Sequence, residues 1–124
     1  MKLEGRYPYE AEVTAYGNGG FRFADMSHKG SILCLPSGIY AWEPVSAESL
    51  TLDHFSRVLS EMKPQSVLLL GTGKTQIFPG AELTRAFTQA GIGLEPMSTG
   101  AAARTYNILL AEKRAVGAAL IAVD

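Results

Sequence analysis

Two stretches hold the residue types that bind or transform ligands: Gly71-Thr72-Gly73-Lys74-Thr75 and Arg104-Thr105-Tyr106-Asn107. The first follows the apolar run Leu68-Leu69-Leu70 and imitates a phosphate-binding loop. Such a loop reads G-x-x-x-x-G-K-[ST], and its first glycine lets the backbone wrap the phosphates. Counted back from Gly73-Lys74-Thr75, that glycine falls on Leu68. The following helix should also begin at the lysine, so that its free amides face the anion. Here Pro79 and Gly80 intervene, and helical periodicity starts only near Leu83. The dinucleotide pattern G-x-G-x-x-G fails too, because its third glycine is replaced by Gln76. A nucleoside triphosphate is therefore not the expected ligand. What survives is Gly71 and Gly73 at the carboxyl end of a buried strand, where open α/β sheets place ligand crevices.

The second stretch lies on a helix expected from about Gly100 to Arg114. Ala102, Ala103, Tyr106, Leu109 and Leu110 share an apolar arc, while Arg104 and Asn107 share another side. Ser98 or Thr99 can cap it, and an anion near its start would meet free N–H groups and Arg104. The candidate ligand or interaction site is Gly71, Thr72, Gly73, Thr99, Arg104, Tyr106 and Asn107. A purely structural reading ranks ahead of a ligand site: Thr99 caps, Arg104 pairs with a carboxylate, and Asn107 satisfies a loop carbonyl.

No catalytic residue is assigned. His28, expected in a turn, and His54, expected at the surface, lack metal-ligand spacing with each other or with Cys34, so no metal is expected. There is no G-x-S-x-G elbow. Asp25, Asp53, Glu82, Glu95 and Glu112 fall in different elements, so spacing assigns no carboxylate pair. No cofactor is expected.

The elements that must position these residues change character along the chain. Up to about residue 45 the pattern is β-rich. Tyr9, Ala11, Val13 and Ala15 alternate, "YGNGG" turns, and Phe21 and Phe23 continue on a returning strand. "SILCL" and "GIYAW" follow, making a meander of three or four antiparallel strands. Leu52, Phe55, Leu59 and Met62 then mark a helix capped by Thr51. "SVLLLG" lacks alternation, as in a strand buried on both faces. Leu83, Ala86, Phe87 and Ala90 form a second helix stopped by Gly91. "IGLEPM" is a short strand that Pro96 assigns to an edge, and "VGAALIAV" is a last buried strand. Residues 46–124 thus alternate helices and strands, predicting one α/β domain over 1–124. Its sheet is mostly parallel, with helices on both faces.

The 124 residues are 47% hydrophobic and 19% charged, with a formal net charge of −1. No global field draws the chain to nucleic acid, and the longest apolar run is too short to span a bilayer. The single cysteine, Cys34, sits in an apolar run and reads as a buried thiol. Without a signal-type apolar region in "MKLEGRYPYE", the expected location is cytoplasmic. Homodimerisation is a general expectation for small α/β proteins.

The order "GSILCLPSGIYAW", "VLLLGTG", "GIGLEPMSTGAAARTYNILLAEKRAVGAALI" resembles a small α/β family of unknown biochemical function. That family includes the mitochondrial complex I assembly factor 3 and an adipogenesis-associated relative. The resemblance spans nearly the whole chain and implies a three-layer fold around a central mixed sheet, with the N-terminal antiparallel meander on its flank. Many relatives carry cysteine before the arginine of this motif, where this chain has Ala103. A thiol-enzyme role is weakened accordingly. The resemblance implies a non-catalytic protein-interaction module whose partner is a protein, with a membrane-complex subunit the first candidate. The alternative is a small-molecule or anion-binding protein or enzyme. Its crevice would lie between the Gly71–Gly73 loop and the helix carrying Arg104 and Asn107, with both side chains turned toward that loop.

Overall fold

A computed structural model of the chain describes residues 5–124. Residues 1–4, which belong to the N-terminal stretch read for a signal, lie outside the described residues. In chain order the strands are β1 (Gly5–Tyr7), β2 (Val13–Gly17), β3 (Gly20–Phe23), β4 (Met26–Lys29), β5 (Ser31–Leu35) and β6 (Gly38–Trp42). Then come α1 (Ser56–Glu61), β7 (Val67–Gly71), α2 (Ala81–Ala90), β8 (Gly93–Met97), α3 (Thr99–Ala111) and β9 (Val116–Leu120). Among the described residues, the main sheet has six strands in the order β1-β6-β5-β9-β7-β8, and a smaller sheet pairs β2-β3-β4. Parallel pairing joins β9, β7 and β8. Antiparallel pairing adds β5, β6 and β1 on the other side, so the sheet is mixed, as the resemblance implies, and the parallel pairing expected to dominate is confined to β9, β7 and β8.

The layers follow from strand alternation. Leu69, Ala118, Leu120, Ile32 and Cys34 face α3 and the small sheet, packing against Ala102, Ala103, Tyr106, Phe21 and Phe23. Their neighbours Leu68, Leu70, Ala119, Leu33 and Leu35 point the other way, onto Phe55, Val58, Leu83 and Phe87. Strands filled on both faces cannot alternate apolar with polar residues, which is why "VLLLG" and "SILCL" read as continuous runs. The edge position of β8 suits Pro96, which has no N–H for a further strand.

The N-terminal region departs from simple alternation. The β2–β3 register shifts between Val13 and Ala15, so that Val13 is buried while Ala15 is exposed. Such an irregularity reverses the face of every residue beyond it. Asn18 and Gly19 both take positive φ in the connecting turn, the geometry that matches the twist of a hairpin. His28 sits in β4, paired with Phe21, rather than in a turn. The β5–β6 hairpin belongs to the main sheet, so the meander proper has three strands.

The helix boundaries show their causes. Thr51 precedes a 3-10 turn (Leu52–Phe55) that leads into α1, and its side chain and that of His54 form a reciprocal capping box. Gly91 ends α2 with φ 75°, at the position where a left-handed residue satisfies the last carbonyls. α3 stops at Ala111, three residues before Arg114, because Lys113 takes φ 61°.

Candidate functional site

The strand registers set Trp42 beside Ser31, and Leu120 beside Gly71. Ile32, next to Ser31, pairs with Leu120, and Gly71 pairs with Met97. All these strand termini therefore share one end of the sheet. The Gly71–Gly73 loop leaves β7 there, and α3 begins there.

Thr99 joins the two. Its N–H donates to the Gly73 carbonyl at 2.8 Å, and its hydroxyl accepts from the Gly73 N–H at 3.0 Å. The same hydroxyl donates to the Ile121 carbonyl at 2.7 Å. A side chain at Gly71 could not coexist with this arrangement, since its Cβ would lie 2.9 Å from the Thr99 Cα. Gly73 has φ 111°, a conformation that an L side chain strains. Thr72 closes the loop on itself. Its hydroxyl donates to the Thr75 carbonyl at 2.6 Å and accepts from the Ile77 N–H at 3.0 Å. Gly71, Thr72, Gly73 and Thr99 thus form a tight turn clamped to the start of α3.

The four residues of "RTYN" diverge. Arg104 is exposed and, with Lys74, lines a cleft of about 370 Å³ that also touches Tyr16, Gly73, Ser98 and Gly100. Tyr106 is fully buried in the core, and its hydroxyl lacks a hydrogen-bond partner among the described residues. Burial raises its pKa, with smaller contributions from Cys34 and Glu10, so it stays neutral. Asn107 faces β2 rather than the loop. Its Oδ1 accepts from the Val13 N–H and its Nδ2 donates to the Val13 carbonyl, each at 2.8 Å. The crevice expected to take both Arg104 and Asn107 therefore holds Arg104 alone, because the helical turn carries Asn107 round to the small sheet. Thr105 is half-buried.

Cys34 is fully buried and its pKa is pushed up by desolvation, which disfavours the thiolate a nucleophile needs. Among the described residues, no group of three His, Cys, Asp or Glu side chains could hold a metal ion. No described helix is long and apolar enough to cross a membrane.

A second concavity at this end escaped the sequence reading. A groove of about 410 Å³ runs between residues 47–52 and 77–83, with Leu50, Leu52, Ile77 and Leu83 among its walls. Phe78 lines it and is 74% exposed, while Val45, just before the first segment, is 84% exposed. The available signal was an aromatic residue in a loop, outside any periodic pattern and followed by Pro79-Gly80.

A family model described as a protein of unknown function (DUF498/DUF598) matches residues 13–121. The chain belongs to this family. The DUF498/DUF598 match includes the Gly71–Gly73 loop, α3 and the groove. An outer membrane protein from Bartonella henselae, known by its crystal structure, is 49% identical. Its TM-score is 0.90, covering 96% of this chain and 100% of that one. An uncharacterised protein of Rhodobacter capsulatus is 33% identical over 109 residues, 88% of this chain and 82% of its own length. In Mus musculus, NADH dehydrogenase (ubiquinone) 1 alpha subcomplex assembly factor 3 is 28% identical over 120 residues. That alignment takes in 96% of this chain but 64% of the mouse protein, so the chain spans less than two thirds of that relative.

Proposed function

We propose that this chain is a non-catalytic protein-interaction module that assists assembly of a membrane-bound complex. In this reading it meets its partner at the sheet end where Val45 and Phe78 project. The observation that carries the reading is the exposure of these two side chains, 84% and 74%: Phe78 lines the groove, and Val45 lies two residues before its first lining segment. Contiguous exposed apolar surface is uncommon on a monomer and marks contact sites. Covering one such side chain is worth roughly 1.5–3 kcal/mol, which the isolated chain forgoes. The names of the mouse assembly factor and the Bartonella outer membrane protein support a role beside membranes.

The test is affinity capture from native membranes in mild detergent, using the full chain and a V45S/F78S double variant. Both substitutions fall at exposed positions, so the fold should survive them. A membrane-complex subunit should be retained by the natural chain and lost from the variant. Recovery of no specific protein across several detergents would refute the proposal.

A second reading is favoured by Lys74 and Arg104 lining one cleft, where their two positive charges outnumber the Asp124 side chain that also lines it: a small anionic ligand held there. Phosphate and simple carboxylates, offered one by one, should then raise the melting temperature of the natural chain and not of R104A. At a hundred times its dissociation constant a ligand adds about 2.7 kcal/mol. Unchanged melting across the panel would remove this reading.

A further inference from the structure

The groove beside Phe78 has a sign as well as a shape, and the sign restricts its occupant. Its floor is apolar: Leu83 belongs to the buried core of that face, and Leu50 and Leu52 pack against that core. Its volume of about 410 Å³ lies within the roughly 300–1,000 Å³ typical of clefts that enclose a ligand group. Glu48 and Glu82 stand in the lining and both are exposed. No lysine or arginine lines the groove, and neither carboxylate has an ion-pair partner among the described residues.

One opposing charge has to be weighed. The groove includes the start of α2, whose N-terminus carries about half a positive charge. Glu82 lies in the first turn of that helix and offsets it. With Glu48 added, two full negative charges outweigh the half charge, and the rim remains negative. Carboxylates around an apolar floor select a partner with the complementary pattern and repel one carrying their own sign.

We infer that the groove takes a short segment of a partner protein in which an apolar side chain is flanked by lysine or arginine. The apolar side chain enters between Phe78 and the leucines of the floor. The basic side chains pair with Glu48 and Glu82. This rests on the interaction-module reading and adds the chemistry of the partner to it.

The probes are two fluorescent synthetic peptides with the same leucine–tryptophan–leucine centre. One is flanked by lysines and the other by glutamates. Anisotropy titrations against the full chain should show the lysine peptide binding at least about tenfold more tightly, a preference that weakens as salt rises. An E48K/E82K double variant should reverse the preference, and F78S should weaken the lysine peptide. Equal binding of the two peptides, no binding of either at about 1 mM, or an unchanged preference in E48K/E82K would overturn the inference. So would a homodimer that dissociates in E48K/E82K, since a second copy would then own the groove. The two levels fail separately. Partner capture that depends on Val45 and Phe78, without any charge preference, leaves the module reading standing and removes this occupant. Charge-selective peptide binding without any captured partner does the opposite.

Discussion

Tyr106 carries a hydroxyl into the core and finds no partner for it among the described residues, whereas Thr72 and Thr99, both buried, use theirs fully. The contrast separates two kinds of residue within one candidate site. The threonine hydroxyls hold backbone in place, and losing either would take a hydrogen-bond partner from part-buried or buried peptide groups. The tyrosine hydroxyl holds nothing among the described residues, and its ring contributes packing against Cys34 and the sheet. A buried, unpaired hydroxyl costs roughly 1–3 kcal/mol. Tyr106→Phe should therefore keep the fold and raise the unfolding free energy by about 1 kcal/mol, measured by urea titration. A variant less stable than the natural chain would contradict this and show that an ordered water satisfies the hydroxyl. Arg104 makes the opposite case. It is exposed and contributes charge to the cleft with Lys74, so its role must be sought in what comes to the surface.

At the scale of elements, Asn107 is a strand partner supplied by a helix. β2 is an edge of the small sheet, and the Asn107 amide presents an acceptor and a donor to the two peptide groups of Val13. Replacing it with alanine leaves both without that partner in a partly buried place. Asn107→Ala should cost on the order of 2 kcal/mol and speed hydrogen exchange of the Val13 amide while leaving β7 protected. An unchanged Val13 exchange rate would show that the helix does not hold the strand. This contact also marks where sequence reading stopped. The doubly buried run of β7, the apolar stripe of α2 and its Gly91 stop were all readable, because each is a local pattern set by burial or backbone conformation. Thr51 was readable as a cap for the same reason. The Asn107–Val13 pair joins residues 94 apart in the chain, and no period encodes it. The β2 bulge was hidden because alternation predicts faces only while the register is regular. The groove was hidden because residues 47–52 and 77–83 meet only in the folded chain. Periodicity records that a residue is covered, and it does not name what covers it.

For the whole molecule, the two sheet faces have different chemistry. The face under α1 and α2 is packed with aliphatic and aromatic groups, whereas the face under α3 also encloses Cys34 and Tyr106, which can ionise. Burial raises the pKa of both above their ordinary values of 9.0 and 10.0. Below pH 9 both groups are protonated in the folded and the unfolded chain, and they give stability no pH dependence. Above that, the unfolded chain releases protons that the folded chain keeps, so the unfolded state binds fewer. Stability must then fall as pH rises, by about 1.4 kcal/mol per pH unit for each group that is past its unfolded pKa. Cys34 acts first and Tyr106 joins it above pH 10. Urea unfolding between pH 7 and 11 should show a level region followed by a decline that steepens near pH 10. In Tyr106→Phe the steepening should vanish while the earlier decline from Cys34 remains. A natural chain equally stable at pH 8 and pH 11 would mean that one or both groups reach solvent in the folded state, and the α3 side of the core would then be open where the structure closes it. The outcome bears on the interaction surface as well. The groove's Leu50, Leu52 and Leu83 belong to the other face, and Val45 and Phe78 are exposed, so variants of these two should leave the alkaline decline unchanged while altering partner capture.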